Sequence, residues 1–130
     1  MSIDSIGDFL TIIRNGLMRS MADVKAPYSR LRFDVAGILK DEGFVKDVLV
    51  VEKDNKKFIK VFLKYVDGES VIHEIKRVST PGRRYYASAH ELKPVIGGLG
   101  VSILTTSHGI FTNKKAKQKS IGGEIICTVW

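Results

Sequence analysis

The sequence predicts an α+β fold in which an N-terminal αβαββ module precedes a β-rich C-terminal module with one or two short helices. Two observations favour this fold class. Apolar residues recur twice at helical spacing near the start of the chain, and further along they alternate or run together as they do in strands. The hairpin signal Asp67-Gly68 lies where the pattern changes from mixed helix and strand to mostly strand. It places the domain boundary there, with residues 1–67 in the first module and residues 68–130 in the second.

Two amphipathic helices are predicted in the first module. The spacing predicts a helix over residues 5–20 that begins with Ser5 as its cap. A second helix begins after Ser29 and ends at Gly43, which suits the left-handed position that follows a helix. Residues 24–27 form an extended segment between the two helices. Their predicted buried faces consist of Ile6, Phe9, Leu10, Ile13 and Leu17 in the first helix and Leu31, Val35, Ile38 and Leu39 in the second.

Two strands complete the first module. Residues 44–51 are dense in β-branched and apolar side chains, which predicts a strand buried on both faces or nearly so. Residues 57–65 alternate more clearly, which predicts a strand with one face formed by Ile59, Val61, Leu63 and Tyr65. Residues 52–56 form the turn between the strands.

The second module is predicted to be mostly strand. Residues 71–78 are typical of a strand, residues 79–82 break it, and residues 83–86 resume extended structure. A short helical turn is expected over residues 91–96, followed by the glycine-rich residues 97–100.

The C-terminal stretch from residue 101 to residue 130 is the first functional candidate. Apolar runs at its two ends predict strands that hold a polar loop between them. The loop begins with a hydroxyl-rich turn of Thr105, Thr106, Ser107, His108 and Gly109. Hydroxyls both donate and accept hydrogen bonds, so they suit a shallow surface lined by 2′-hydroxyls and base edges. The alternative is a turn that only stabilises itself.

Positive charge is concentrated in the second module. The chain has a formal net charge of +7, with twelve Lys/Arg against ten Asp/Glu through Gly68 and nine against four beyond it. This excess favours an acidic partner, with nucleic acid first and an anionic membrane surface second. Four lysines could neutralise phosphates, or could form a solvated helix face instead. They are Lys114, Lys115, Lys117 and Lys119.

Two arginines are followed by two tyrosines at residues 83–86, and Arg84 and Tyr86 are the candidate contacts. Guanidinium groups bind phosphate and aromatic rings stack on bases or sugars. Because successive side chains of a strand point to opposite faces, one of Tyr85 and Tyr86 is expected to face the core and the other to face outward.

Catalytic and metal-binding functions have little support in the sequence. His73, His90 and His108 share no metal-ligand spacing. Cys127 stands alone in an apolar run and is predicted to be a small buried hydrophobe. We therefore predict no enzyme, no metal and no cofactor, and we interpret Gly122-Gly123 as a turn. A nucleic-acid-processing enzyme and a basic protein-interaction module remain alternatives. The start of the chain, Met-Ser-Ile-Asp, lacks the features of a signal peptide, and no apolar run is long enough to span a membrane. We therefore expect a reducing, cytoplasmic location.

Several motifs occur together along the whole chain in one order. They resemble the bacterial-type ribosomal protein S-eight (S8) family, a component of the small ribosomal subunit. The matching segments are Leu10-Thr11-x-Ile13-Arg14-Asn15-Gly16, Pro27-x-Ser29, Glu42-Gly43-Phe44, Arg77-Val78-Ser79-x-Pro81-Gly82-x-Arg84-x-Tyr86, Gly98-Leu99-Gly100, Thr106-Ser107-x-Gly109 and Gly122-Gly123-Glu124-Ile125-Ile126-Cys127.

The resemblance implies a structural protein of the ribosome that binds ribosomal RNA (rRNA) early and aids assembly of the small subunit. The second module is then expected to dock in the minor groove of a helix in the central domain of small-subunit rRNA, and neighbouring small-subunit ribosomal proteins are expected partners. Some relatives in the family also repress their own messenger RNA, which leaves that RNA as an alternative partner. The residues implied in RNA binding are Thr105, Thr106, Ser107, Tyr86 and Glu124 in the second module and Arg14, Asn15, Arg30 and Arg32 in the first.

The sequence departs from the family pattern at three places. His108 replaces a fixed positive charge with a titratable group. Asn113-Lys114 removes an acid and raises the local positive charge. Ile12 stands where a basic residue is common, which weakens the RNA surface expected on the first module.

Overall fold

A computed structural model of the protein describes residues 5–130. These residues divide into two units, one that ends at Ile72 and one that comprises His73–Trp130. The mixed α+β class predicted from the sequence is confirmed, with helix, strand and helix followed by a sheet-rich part that carries a short helix. The Asp67-Gly68 turn lies inside the first unit.

The first unit begins with helix α1 (Ser5–Met18), strand β1 (Asp23–Pro27) and helix α2 (Arg30–Asp41). Both ends of α2 have the predicted kind of cap: the Ser29 hydroxyl accepts a hydrogen bond from the Arg32 N–H, and Gly43, just past the end of the helix, has a φ of +80°. The buried apolar residues of the two helices are Ile6, Phe9, Leu10 and Ile13 in α1 and Val35, Ala36 and Leu39 in α2.

The buried face of α2 differs from the prediction at its first turn. Leu31 is exposed, while Arg32 is only 8% exposed. The Arg32 guanidinium donates hydrogen bonds from Nε to the Ser5 carbonyl at 3.0 Å and from Nη1 to the Pro27 carbonyl at 2.9 Å. These bonds satisfy the charged group inside the unit, so the helix can turn Arg32 rather than Leu31 inward.

The sheet of the first unit is antiparallel, with the order β1-β3-β2. Strand β2 (Val45–Lys53) and strand β3 (Lys56–Leu63) are joined by a tight turn at Asp54 and Asn55, which both have positive φ. Strand β3 is central and buries Ile59, Val61 and Leu63, as the alternation predicts.

Strand β2 is not buried on both faces, so that prediction is wrong. Leu49 and Val50 point to opposite faces of the sheet and are each nearly half exposed, so neither face of this part of β2 is covered. A small hairpin of β4 (Tyr65–Val66) and β5 (Glu69–Ser70) follows β3, with Asp67-Gly68 as its turn.

The second unit is built around one long strand near its C-terminus. This strand, β10 (Gly123–Val129), pairs with β6 (Ile75–Arg77), β7 (Tyr86–Ala87) and β8 (Val101–Thr106). Strand β9 (Gly109–Thr112) pairs with β8, and helix α3 (Asn113–Gln118) follows it.

Two elements of the second unit differ from the prediction. The strand expected over residues 71–78 is confined to β6. The helical turn expected over residues 91–96 is absent there, and 3-10 turns form instead at Ala89–Glu91 and Ile96–Gly98. Pro94 explains the second difference because it disfavours helical geometry at Lys93.

One face of this sheet packs under α3. Leu104, Leu92 and Ala116 form its buried cluster, and Phe111 and Ile125 pack against them. Cys127 is fully buried, and burial raises the pKa of its thiol to about 12. The prediction that Cys127 is a small buried hydrophobe is therefore confirmed.

Candidate nucleic-acid interface

Three candidate side chains form a row across three neighbouring strands. Glu124 on β10 pairs with Tyr86 on β7 at one side and with Thr105 on β8 at the other. Residues that are directly opposite in antiparallel strands project from the same face of the sheet. The next cross-strand pair, Leu104 and Ile125, belongs to the opposite face of the sheet, which packs under α3. The register thus brings an aromatic ring, a carboxylate and a hydroxyl side by side.

The Gly122-Gly123 pair allows these strands to approach each other closely. A Cβ added at Gly123 would clash with the carbonyl oxygen of Thr105, and one added at Gly122 would clash with that of Ala87. Gly123 is the first residue of β10, so the interpretation of this pair as a turn is wrong for Gly123. Glycine is required at both positions because the backbone of a neighbouring segment lies where a Cβ would be. Patterns of side chains in the sequence do not reveal such an approach.

Glu124 is fixed by an ion pair beside the row. The Arg84 Nη1 lies 2.9 Å from the Glu124 Oε2. The Glu124 side chain is only 14% exposed, whereas the Arg84 side chain is about half exposed. The arginine therefore orients a partly buried carboxylate, which can still accept hydrogen bonds from a ligand.

The turn between β8 and β9 is held by its own hydroxyls. The Thr106 hydroxyl donates to the Gly109 carbonyl at 2.8 Å and accepts from the His108 N–H at 3.0 Å. The Ser107 Oγ lies 3.1 Å from the His108 Nδ1. Thr106 therefore fits the alternative considered from the sequence, in which the hydroxyls of the turn stabilise the turn itself. In contrast, the Thr105 hydroxyl has no hydrogen-bond partner within the described part of the chain.

Neither tyrosine of the Arg83–Tyr86 segment is buried, so the expectation that one of them faces the core is wrong. Tyr85 is 41% exposed and Tyr86 is 73% exposed. The strand pairing covers only Tyr86 and Ala87. Tyr85 lies outside that pairing, with its N–H bound to the buried Ser79 hydroxyl at 2.9 Å and the Arg83 guanidinium over its ring. Tyr86 is the more accessible stacking surface.

The four candidate lysines are exposed around α3, and their ammonium groups contact backbone carbonyls or an aromatic ring. Lys114 Nζ donates to the Gly98 carbonyl at 2.9 Å, and Lys117 Nζ donates to the Leu92 carbonyl at 3.3 Å. Lys115 and Lys119 place their ammonium groups over the Phe111 ring, at 5.5 and 5.9 Å from its centroid. Each ammonium has three donors, so these contacts orient the charges without exhausting them.

A recess of about 580 Å³ lies beside Lys117. Ser88, His90, Ser120 and Gly122 line it together with Lys117. Sequence reasoning missed Ser88 and Ser120 altogether, and it treated His90 only as a rejected metal ligand. These residues come from separate segments, so no local motif could have grouped them.

Glu91 holds the loop that carries Ser88. Its Oε1 accepts hydrogen bonds from the Ser88 N–H at 2.8 Å and from the Ser88 hydroxyl at 2.7 Å. These bonds lower the pKa of Glu91 below its ordinary value because they favour the charged carboxylate. The arrangement is a capping box on a 3-10 turn.

The candidate residues of the first unit have different environments. Asn15 is exposed and Arg14 is half-buried on α1. Arg30 is well exposed and pairs with Asp34 at 3.1 Å. Arg32 is the exception, because its guanidinium is buried and bound to two backbone carbonyls.

Residues 5–130 contain no group of three or more His, Cys, Asp and Glu side chains that could hold a metal ion. No helix within this described range has the length and apolar character of a membrane span.

Comparison with known proteins identifies the family. Residues 4–130 match the family model described as Ribosomal protein S8. The small ribosomal subunit protein uS8 of Thermodesulfovibrio yellowstonii is 44% identical over the full length of both chains. That of Limosilactobacillus fermentum is 48% identical over 98% of this chain and 97% of its own length. The same protein of Hyphomonas neptunium is 46% identical over the same shares. The motifs quoted above and these matches agree, and the chain belongs to the ribosomal protein S8 family.

Proposed function

We propose that this protein is a structural component of the small ribosomal subunit and that its second unit binds rRNA. Its relatives are named small ribosomal subunit proteins, which supports the ribosomal role. Membership in a family of ribosomal proteins agrees with the prediction that the chain is not an enzyme. Other ribosomal proteins of the small subunit are the expected protein partners, and the ribosome is the expected location.

The observation that carries the RNA proposal is the row of Tyr86, Glu124 and Thr105. The wide, shallow minor groove of an RNA helix displays 2′-hydroxyls and base edges. The Thr105 hydroxyl, which lacks a partner among the described residues, can donate to or accept from such groups. The Glu124 carboxylate can accept a hydrogen bond from a 2′-hydroxyl. The exposed Tyr86 ring offers a flat surface to a base or sugar.

The lysines around α3 supply the sequence-independent part of the proposed binding. Lys114, Lys115 and Lys117 carry charge that suits phosphates along the edge of the same RNA helix. His90 and Ser88 in the recess beside Lys117 are further polar groups that a phosphate could meet. His108 is exposed at the tip of the β8–β9 turn and stays a candidate contact.

Arg14, Asn15 and Arg30 are proposed as a second rRNA contact on the first unit. Arg32 contributes differently, since its buried guanidinium fixes the start of α2 and thereby positions Arg30. The division at residues 67 and 68 stays a prediction, as does repression of the protein's own messenger RNA.

The proposal is tested by removing one hydroxyl without disturbing the turn. Thr105→Val keeps a β-branched strand residue and deletes the unpartnered hydroxyl. We expect binding to a duplex fragment of the rRNA central domain to weaken by about 1–3 kcal/mol, because an RNA group loses its partner. The same duplex made of DNA should show a smaller change, since it lacks 2′-hydroxyls. The measurement is a filter-binding titration with both duplexes.

Two control variants separate recognition from charge attraction. Thr128→Val makes the same substitution on β10, away from the row, and should leave affinity unchanged. Lys115→Gln with Lys117→Gln should make the salt dependence shallower by a similar amount on any duplex. Wild-type affinity of Thr105→Val for the rRNA fragment would contradict the role of the row. Cleavage of either duplex would point to a processing enzyme instead.

A further inference from the structure

The first unit contains a groove that none of the proposed rRNA contacts uses. It lies where β3 ends and encloses about 410 Å³, within the size range of small-ligand sites. Its lining combines two aromatic rings, two lysines and two aliphatic residues. The lining residues are Ala22, Lys46, Phe62, Leu63, Lys64 and Tyr65.

Phe62 lies on the face of the sheet that α1 and α2 leave uncovered. Strand β3 alternates, so Ile59, Val61 and Leu63 are buried and the residues between them project to the other side. Phe62 is consequently only half-buried although it lies in the central strand. The Lys60 ammonium lies over the Phe62 ring, 5.2 Å from its centroid, so the surface offered to a ligand is the part of the ring that Lys60 leaves open.

Tyr65 forms the second aromatic part of the lining. Its hydroxyl donates a hydrogen bond to the Met21 carbonyl at 2.7 Å. Burial raises the pKa of Tyr65, which favours the neutral hydroxyl that donates this bond. The tyrosine is therefore held in place as a groove wall by a bond to the segment that precedes β1.

The charges of the lining are positive, from Lys46 and Lys64. The cross-strand partners of Phe62 are two carboxylates, Asp23 on β1 and Asp47 on β2. Each of them is paired with a lysine outside the lining. Asp23 lies 4.0 Å from the Lys60 ammonium. Asp47 accepts a hydrogen bond from the Lys40 ammonium at 3.0 Å and another from the Val48 N–H, and together these lower its pKa. The two acids thus leave the lysines of the groove available to an anion.

We propose that this groove binds unpaired nucleotides of single-stranded RNA, with a base stacked on Phe62 and the adjoining phosphates on Lys46 and Lys64. Stacking platforms flanked by cations are the usual means of binding single strands. An acidic peptide would match the lysines but would not use a flat aromatic surface. The proposal concerns the first unit alone and does not depend on the rRNA site of the second unit.

The test uses the full-length protein and fluorescein-labelled oligouridylate, followed by fluorescence anisotropy. Excess unlabelled duplex RNA is present throughout, so that the proposed duplex site is occupied. Phe62→Leu keeps an apolar side chain in the sheet but removes the flat ring. We expect it to weaken oligouridylate binding about tenfold, and Phe62→Tyr to retain wild-type affinity. Circular dichroism of each variant verifies that the sheet has folded.

A matched pair of charge variants locates the phosphate contacts. Lys46→Gln with Lys64→Gln should weaken binding about fivefold at low salt and reduce its salt dependence. Lys53→Gln with Lys56→Gln removes the same charge at the other end of the β2–β3 hairpin and should change affinity by less than about twofold.

Three outcomes would overturn the proposal. The first is wild-type binding of oligouridylate by Phe62→Leu. The second is an equal loss in both lysine pairs, which would indicate charge attraction without a groove. The third is Phe62-dependent binding of oligoglutamate in place of oligouridylate, which would identify the occupant as an acidic peptide.

Discussion

The two units use glycine for close packing in different ways, and the difference bears on how much change each unit tolerates. In the first unit, a Cβ at Gly16 of α1 would clash with the side chain of Val24 and make a tight contact with that of Leu63. In the second unit, a Cβ at Gly123 would clash with the backbone carbonyl of Thr105. Side chains can change rotamer to relieve a clash, whereas a paired backbone cannot move without breaking its strand pairing.

This contrast coincides with the candidate interface. Gly123 and Gly122 approach backbone next to the row of Tyr86, Glu124 and Thr105. The geometry of the row therefore depends on contacts that have no tolerance for an added methyl group. In the first unit, the helices and the sheet meet through apolar side chains, which accommodate volume changes more readily.

The largest effect is expected from Gly123→Ala. The added Cβ would separate β8 from β10, so we expect the second unit to lose about 3 kcal/mol of unfolding free energy. Thermal unfolding measures the loss. Thiol labelling of Cys127 reports on this unit directly, because the group is buried and burial raises its pKa to about 12. RNA affinity should fall together with stability.

Gly82→Ala is the matched control for this prediction. Gly82 lies in the same unit, has open space around its Cβ position and does not have a positive φ. Its substitution should leave both thermal unfolding and Cys127 labelling unchanged. Equal effects of the two substitutions would show that backbone approach at Gly123 is not what limits the second unit.

Asn113→Ala should produce the next largest effect. This side chain is buried, with its Oδ1 accepting from the Ser102 N–H at 3.1 Å and its Nδ2 donating to the Lys93 carbonyl at 3.1 Å. Removing both bonds leaves the buried Ser102 amide without a partner, which costs about 2 kcal/mol. Chemical denaturation measures the loss of unfolding free energy.

Asn113→Asp tests the same site more gently. The carboxylate can still accept from Ser102 but cannot donate to Lys93, so an intermediate loss is expected. If the alanine variant is as stable as wild type, Asn113 does not anchor α3 to β8. The sequence pattern had identified Asn113 only as a change in local charge.

The fold of the first unit was largely predictable because its signals are local. Helical periodicity identifies α1 and α2, and the capping residue Ser29 identifies the start of α2. Each of these signals lies within or next to the helix that it predicts. Arg32 was not predictable as a buried residue, since its partners Ser5 and Pro27 belong to other elements. The exposure of Leu49 and Val50 in β2 was unpredictable for the same reason, because a strand's own residues do not determine which elements cover its two faces.

The candidate site of the second unit was predictable residue by residue but not as an arrangement. Motif resemblance pointed to Tyr86, Thr105 and Glu124, which lie far apart in sequence. Their alignment depends on the register of β10 with two partners and on a bulge between Ile125 and Cys127. A shift of one residue would send each side chain to the opposite face, and periodicity does not determine register.

Gly16→Ala should destabilise the first unit by about 1 kcal/mol. Alanine favours the helix by up to about 1 kcal/mol, but its methyl group would clash with the Val24 side chain and crowd that of Leu63. Because those side chains can partly move, the net loss should be smaller than that of Gly123→Ala. Hydrogen exchange of the α1 amides measures the change. A loss as large as that of Gly123→Ala would erase the contrast between the units.

Gly37→Ala should have the smallest effect and the opposite sign. Gly37 lies inside α2, and apart from its chain neighbours and the backbone of its own helix, no atom of residues 5–130 lies within 4 Å of its Cβ position. The substitution should therefore stabilise the first unit by about 0.5–1 kcal/mol, because alanine loses less backbone freedom than glycine on helix formation. Denaturant unfolding followed by circular dichroism measures the gain, with Gly16→Ala as the same substitution in a crowded helical position. A destabilised Gly37→Ala protein would show that free space at Cβ does not predict tolerance in this unit, and the distinction drawn between its two helical glycines would fail.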